Sequence, residues 1–307
     1  MEQRKEYKYM VATRCFTYNH APYIEDALRG FAMQETTFPV VYIIVDDAST
    51  DGEPEVLRRW AKENLNCSES GEIWQGMPYG QLAVSTLKGK PLSTFVILLL
   101  AENHYSSKRS LLKFEYISEW YDNVKYQAIC EGDDFWIDEN KLQMQFEYME
   151  SHSGCSMCFH DVNTFSMYDD KYIKKFSLPS KDRDYVSRHL FTIGWLAPTA
   201  SIFYRREWLI KAADYPKWTR IDGLGGDIMW QMFLSTKGYF HYIARKMSVY
   251  RFGVPGSATE RGKRRKNQGH QAYLDFLDRS NRYLFSRKYT LLVWYKKVRF
   301  TFHKILH

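Results

Sequence analysis

The run Val40-Val41-Tyr42-Ile43-Ile44-Val45 is apolar throughout and β-branched everywhere but Tyr42, and it constrains the fold more than any other stretch of the chain. A strand with one wet face alternates polar and apolar side chains, whereas a strand covered on both faces needs an unbroken run. Such a strand belongs inside a parallel sheet flanked by helices. Its neighbours agree. Met10 to Phe16 reads as a buried strand, and Pro22 near a helix start is followed by Ile24, Ala27, Leu28 and Phe31 at helical spacing. Beyond the run, Val56, Leu57, Trp60 and Ala61 mark a second helix. Further strands are expected at Phe95 to Leu100 and Tyr126 to Cys130, with a helix after Asp138 presenting Leu142, Phe146 and Met149 on one face. Strand and helix in alternation imply a parallel sheet.

The second half is less regular. Cys155 to Phe159 and Ala200 to Tyr204 read as strands, and Arg206 to Ala213 and Ile228 to Lys237 as helices, the latter ended by Gly238. Lys171 to Arg188 is polar and reads as a surface excursion. No internal repeat or low-complexity linker divides the chain. The expected organisation is one domain over residues 1–255, its halves meeting near residue 150, then a basic helical extension over 256–307.

Apolar residues make up 45% of the chain, enough for a sizeable core. The apolar runs, Phe95 to Ala101 and Leu291 to Tyr295 among them, fall far short of the roughly 20 residues that span a bilayer. The charged opening, Met1 to Met10, offers no apolar core for a secretory signal. Five scattered cysteines suit a reducing compartment, so a cytoplasmic location is expected. Cys155 and Cys158 form a C-x-x-C, but a structural zinc site wants a second pair and none exists. The net charge of +7 is concentrated late: Arg261, Lys263, Arg264, Arg265 and Lys266 cluster, and residues 287–307 carry six Lys/Arg and no acid. That asymmetry points to an anionic partner.

In open parallel sheets ligands bind beyond the carboxyl ends of the strands. Three such ends carry suggestive groups: Thr17-Tyr18-Asn19-His20, then Asp46-Asp47-Ala48-Ser49-Thr50-Asp51-Gly52, then Glu131-Gly132-Asp133-Asp134-Phe135-Trp136. Adjacent carboxylates crowd like charge, and a divalent metal is the natural compensator. Mg²⁺ and Mn²⁺ take oxygen ligands and are held by one or two carboxylates plus substrate phosphates. Either Asp pair taken alone has a plainer explanation in helix capping and turn chemistry. Both follow buried strands of one sheet, which favours convergence on a site.

The order and wording of these segments resemble glycosyltransferase family 2. The matching stretches are Thr17-Tyr18-Asn19, the helix ending in Gln34, Val45 to Gly52, Glu131 to Trp136 with Asp138 and Lys141-Leu142 behind it, Gly226-Asp227 opening a helix, and Met247-Ser248-Val249-Tyr250-Arg251. The resemblance implies a GT-A fold, Rossmann-like with a mostly parallel central sheet flanked by helices, and an inverting transfer of sugar from a nucleotide-diphosphate donor, UDP-sugar by default, to a glycan or lipid-linked acceptor in surface polysaccharide synthesis. It implies nucleotide contacts by Thr17, Tyr18, Asn19 and Asp47, with Tyr18 stacking on the base and Asp47 accepting from a base N–H. It further implies Asp133 on the ribose side, Asp134 as ligand of a divalent metal (Mn or Mg), and Asp227 as catalytic base. The family usually shows Glu-Asp where this chain has Gly226-Asp227, so Asp222 is the fallback. Many relatives place a metal-binding His after the Tyr-Arg step, where this chain has Phe252-Gly253. His104, His160 and His241 read as satisfied structural histidines, and Trp136, Trp195, Trp230 and Tyr204 as core aromatics before sugar platforms.

From Leu291 onward, Trp294, Tyr295, Val298, Phe302 and Ile305 recur at helical spacing, with Lys296, Lys297, His303 and Lys304 on the other side. This basic amphipathic pattern suits an anionic membrane surface, here the inner face of the membrane, and equally a terminal helix packed on the body with its charges solvated. No nucleic-acid motif accompanies the charge, so nucleic acid is not an expected partner. Two other functions use similar folds. A sugar-phosphate nucleotidyltransferase would carry a Gly-rich basic loop where Thr17-Tyr18-Asn19-His20 stands, and a non-catalytic glycan-binding scaffold would lack Asp134 or Asp227.

Overall fold

The computed structural model describes residues 6–67, 72–194, 196–209, 226–257, 260 and 266–306, without the side chains of 266–270 and 300–306. Trp195, Asp222, Arg261, Lys263, Arg264 and Arg265 lie outside the described residues, as do the side chains of Lys266, Phe302, His303, Lys304 and Ile305.

Elements alternate in the first half: β1 (Tyr9–Thr17), α1 (Ile24–Ala32), β2 (Val40–Asp46), α2 (Glu53–Asn64), then β3 (Trp74–Met77), β4 (Gly80–Leu87) and β5 (Lys90–Leu100). Two short helices, α3 (Leu112–Tyr116) and α4 (Ser118–Tyr121), precede β6 (Val124–Ile129), β7 (Phe135–Trp136) and α5 (Lys141–Ser151). The second half holds β8 (Cys155–Ser166), β9 (Lys171–Ile173), β10 (Arg183–Tyr185), α6 (Ser187–Thr192), β11 (Phe203–Arg205), α7 (Gly226–Leu234) and β12 (Tyr239–Phe252), followed by α8 (Lys266–Leu284) and α9 (Thr290–Leu306).

The strands form one 12-stranded sheet, in the order β10-β12-β8-β11-β6-β1-β2-β5-β4-β3, with β7 on β12 and β9 on β8. Its centre, β6-β1-β2-β5, is parallel, as the apolar run predicts, and β2 is buried along its whole length. One face packs Ile24, Leu28 and Phe31 of α1 with Leu57 and Trp60 of α2, and the other packs Ile117 and Trp120 against Ile43, Val45 and Val124. β1 pairs with β2 on one side and with β6 on the other, so the order of strands reverses there. At such a switch point the loops above neighbouring strands diverge and leave a crevice.

Two close approaches fix the helices over the sheet. A Cβ on Gly30 would lie 2.8 Å from the main-chain N and O of Trp136, so α1 sits directly on β7. Gln34, just past α1, donates to the carbonyl of Asp138 at 2.8 Å and accepts from the N–H of Leu142 at 3.1 Å, joining α1 to the start of α5.

Several elements differ from expectation. Ala200 to Tyr204 is a 3-10 turn, Thr199–Ser201, leading into the short β11. Arg206 begins a single 3-10 turn ending at Trp208, with Leu209 extended, and residues 210–213 lie outside the described region. The helix read to Lys237 stops at Leu234, and Gly238 instead lets β12 approach the carbonyl of Gly154, which its Cβ would meet at 2.2 Å. All five cysteines are free thiols, and all but Cys67 are buried.

Candidate active site

The crevice is lined by the ends of β1, β2 and β6, which the parallel register brings level: Thr17 lies beside Asp46, and Arg14 beside both Ile43 and Ile129. Gly132 donates its N–H to the carbonyl of Phe16 at 3.2 Å, and a Cβ there would meet the Thr17 hydroxyl at 2.2 Å. Only glycine lets the segment after β6 close onto the end of β1.

Glu53, which sequence reasoning passed over, organises the loops above β1 and β2. Its buried carboxylate accepts from the Thr17 hydroxyl and from the main-chain N–H of His20 at 2.8 Å, and lies 2.9 Å from the Ser49 hydroxyl oxygen. Burial pushes this carboxyl up to about 7. Asn19 has a left-handed backbone, φ 55°, and exchanges bonds with the second loop: its N–H donates to Ser49 Oγ and its Oδ1 accepts from the N–H of Thr50, both at 2.8 Å. Asn is among the residues that tolerate that conformation. Between these anchors, Tyr18 is 44% exposed, so its ring is available to a ligand.

The two aspartates ending β2 part company. Asp46 is buried and accepts from the N–H and hydroxyl of Ser49, the turn chemistry of an Asx motif, and burial raises it to about 6. Asp47 points the other way, accepting from the N–H groups of His104 at 2.8 Å and Tyr105 at 3.1 Å and from Lys113 Nζ at 2.6 Å. A carboxylate has about four acceptor positions, so these three donors leave one.

The segment after β6 carries the densest charge. Asp134 is buried and receives the main-chain N–H of Arg251, at the end of β12, on Oδ1 at 2.9 Å. Burial and then the neighbouring Asp133 lift its carboxyl well above the ordinary range. Arg251 supplies partial compensation: its guanidinium donates to the carbonyl of Asp133 at 2.9 Å, pairs with Asp26 of α1, and packs over Phe135. Asp133 is partly open, with His20 Nε2 3.9 Å from its Oδ2. The donor set at Asp133 and Asp134 is hard oxygen with more negative charge than the lone guanidinium cancels, which fits Mg²⁺ or Mn²⁺. Among the described residues, no three His, Cys, Asp or Glu side chains converge as a ready metal cage.

Asp227 stands in the first turn of α7, where the aligned peptide dipoles favour a negative charge. The helix is tied to the crevice through Trp230. That ring reaches back to within 4.0 Å of where a Cβ on Gly226 would be, and the Arg14 guanidinium packs 4.6 Å from its centroid. Arg14, buried on β1, donates in turn to Glu131 at 3.0 Å. Trp230 is thus a packing partner of a buried arginine, a role that only a charged residue within the apolar first strand could have signalled. Two more of the aromatics named from sequence, Trp136 and Tyr204, are core: Trp136 donates to the carbonyl of Ala200 at 2.9 Å, and Tyr204 donates to Gln127 at 2.6 Å.

The histidines are less uniform than expected. His241 pairs with Asp184 at 2.8 Å and stacks on Tyr148, as a structural histidine would. Among the described residues, His104 Nδ1 and His160 Nε2 are buried without a hydrogen-bond partner, and burial pulls both groups below the usual imidazole value.

Comparison with known proteins agrees with this architecture. Residues 16–69 match the model of glycosyl transferase family 2. The uncharacterized protein Rv1520 of Mycobacterium tuberculosis is 29% identical over 260 residues, 83% of this chain and 63% of that protein. The chain therefore spans less than two thirds of that relative's length. The crystal structure of S. aureus TarS 1-349 in complex with UDP-GlcNAc matches with a TM-score of 0.52 at 13% identity, covering 92% of this chain and 75% of that one. The mannosyltransferase PcManGT from Pyrobaculum calidifontis, in complex with GDP-Man and Mn²⁺, matches with a TM-score of 0.50 at 16% identity, covering 91% of this chain and 66% of that one. The motif order, the match over residues 16–69 and the shared fold agree: the chain is similar to glycosyltransferase family 2 over its first motifs and has the GT-A fold.

Proposed function

We propose that this protein is an inverting glycosyltransferase that moves a sugar from a nucleotide-diphosphate donor to a hydroxyl of a glycan or lipid-linked acceptor, with a role in surface polysaccharide synthesis. The observation that carries the reading is the buried, charge-crowded Asp134 beside the partly open Asp133, held against the main chain of Arg251 at the switch point of the sheet. A structural site would gain nothing from that crowding, whereas a cation with a diphosphate relieves it. The TarS and PcManGT structures were solved with UDP-GlcNAc and with GDP-Man and Mn²⁺, in line with a nucleotide-sugar donor and a divalent metal.

In this reading Tyr18 stacks on the base, Asp47 uses its remaining acceptor position for a base N–H, and Thr17 and Asn19 shape the loop that carries them. Asp133 faces the ribose, and Asp134 would hold the metal. That metal, when bound, supplies positive charge to the departing diphosphate. Asp227 accepts the proton of the acceptor hydroxyl, whose oxygen forms the new bond to the anomeric carbon as the bond to the diphosphate breaks on the opposite face. Attack opposite the leaving group inverts the centre. UDP is the first donor nucleotide to test. Calorimetric titration of the protein with a panel of nucleoside diphosphates, with and without Mn²⁺, should find one nucleotide that binds in a metal-dependent manner; no binding by folded protein would refute the reading.

A further inference from the structure

The C-terminal helix α9 packs on the body by the face opposite to the one its sequence pattern favours. Tyr289, just before the helix, and Val293 are buried with Leu190, Phe191, Phe276 and Leu277. Lys297 turns back to Asp278 of α8 at 3.3 Å, and Lys296 lies 5.3 Å from the ring of Tyr273. Three large apolar residues are left in solvent: Leu291 is 80% exposed, Trp294 61% and Tyr295 57%. With Val298 they stand at i, i+3, i+4 and i+7, a continuous stripe along the outer face of the helix.

A helix that satisfies its packing with one face and shows solvent a stripe of Leu, Trp and Tyr has been shaped for a second apolar environment. The charge around the stripe says which. Arg287 and Lys288, in the turn before the helix, and Arg299, on its flank, are all exposed, and residues 287–307 contain no acid. Trp and Tyr favour the depth where lipid headgroups meet acyl chains, because their rings are apolar and their N–H and O–H groups remain wet. Basic side chains beside them add attraction to anionic headgroups. No helix of the described residues is long and apolar enough to cross a membrane, so contact through α9 would be with the surface.

We propose that the outer face of α9, through Leu291, Trp294 and Tyr295 with Arg287, Lys288 and Arg299, is a docking surface for an anionic lipid bilayer. The inference stands apart from the reading of the active site, and its test makes no use of sugar transfer. Purified full-length protein is mixed with vesicles of phosphatidylcholine alone or with added phosphatidylglycerol, and co-sedimentation is measured at low and high salt. Binding should require phosphatidylglycerol and weaken with salt. The Leu291→Ser/Trp294→Ser double variant should bind about tenfold more weakly or worse, and each of Arg287→Gln and Lys288→Gln about fivefold more weakly. These positions are exposed, so the variants should keep the wild-type circular dichroism spectrum. Failure of the wild type to bind anionic vesicles, or equal binding to both vesicle types, would overturn the proposal. So would sedimentation of the free protein as a dimer that Leu291→Ser/Trp294→Ser dissociates, which would give the stripe to a second copy of the chain.

Discussion

The main-chain N–H of Arg251 donates to Oδ1 of Asp134 at 2.9 Å, joining the last strand of the sheet to the acidic loop after β6 across 117 positions of sequence. The bond fixes one oxygen of a carboxyl that burial and then the neighbouring Asp133 still hold well above the ordinary carboxylate range. Asp134→Asn retains an acceptor for Arg251 while removing the charge. It should therefore fold like the wild type yet lose Mn²⁺-dependent nucleotide binding by more than the roughly tenfold to hundredfold typical of an outer-shell partner. Calorimetry in the presence and absence of Mn²⁺ reads this directly, and unchanged binding would remove Asp134 from the metal site.

Asp227→Asn tests the proton acceptor. The helix start is kept, so donor affinity should stay within error of wild type, while turnover with donor and acceptor should fall about 10²-fold to 10⁴-fold. Undiminished turnover would move the base elsewhere, with Asp222 the next candidate.

Glu53 predicts a pH dependence of stability. Burial lifts it from 4.5 to about 7, so the folded chain binds this proton more tightly than the unfolded chain. Its contribution is fully present below about pH 4.5 and is lost as the pH rises through about 7. Asp46, lifted from 3.8 to about 6, adds a loss in the same direction. Glu53→Gln removes the first of these. It should match the wild type at about pH 4.5 and below, pull ahead as the pH rises, and exceed it by up to roughly 3 kcal/mol in mildly alkaline buffer, at about 1.36 kcal/mol per pH unit. Urea unfolding across the range is the measurement, and parallel curves for the two proteins would contradict the assignment.

Gly30→Ala should destabilise despite improving helix propensity. The gain from Ala in a helix is about 1 kcal/mol, but the new Cβ would sit 2.8 Å from the main-chain N and O of Trp136, which cannot rotate away. Overpacking of this kind costs about 1–3 kcal/mol, so the urea midpoint should fall or at best hold. A clear rise would mean that α1 is not seated on β7 as described.

The carboxylate pairs were legible because Asp46-Asp47 and Asp133-Asp134 end apolar runs, but their division of labour was not. Asp46 and Asp47 are adjacent in sequence, and alternation along a strand sends one into the Ser49 turn and the other to Lys113. Glu53 escaped notice because Asp51-Gly52 before it explains the turn well enough, while its carboxylate serves Thr17, 36 positions away. The antiparallel strands β3 and β4 beside β5 went unread because short β3 buries none of its four residues and so shows no apolar alternation.

By itself the sequence determined the elements of the central sheet and the acidic residues at their ends, since periodicity and strand termini are local properties carried by a few consecutive side chains. The tertiary structure alone decided what those residues meet. Arg14 under Trp230, Arg251 on Asp134 and the outward face of α9 all depend on which elements the topology makes neighbours. Contacts between positions a hundred residues apart leave no trace in the spacing of either one.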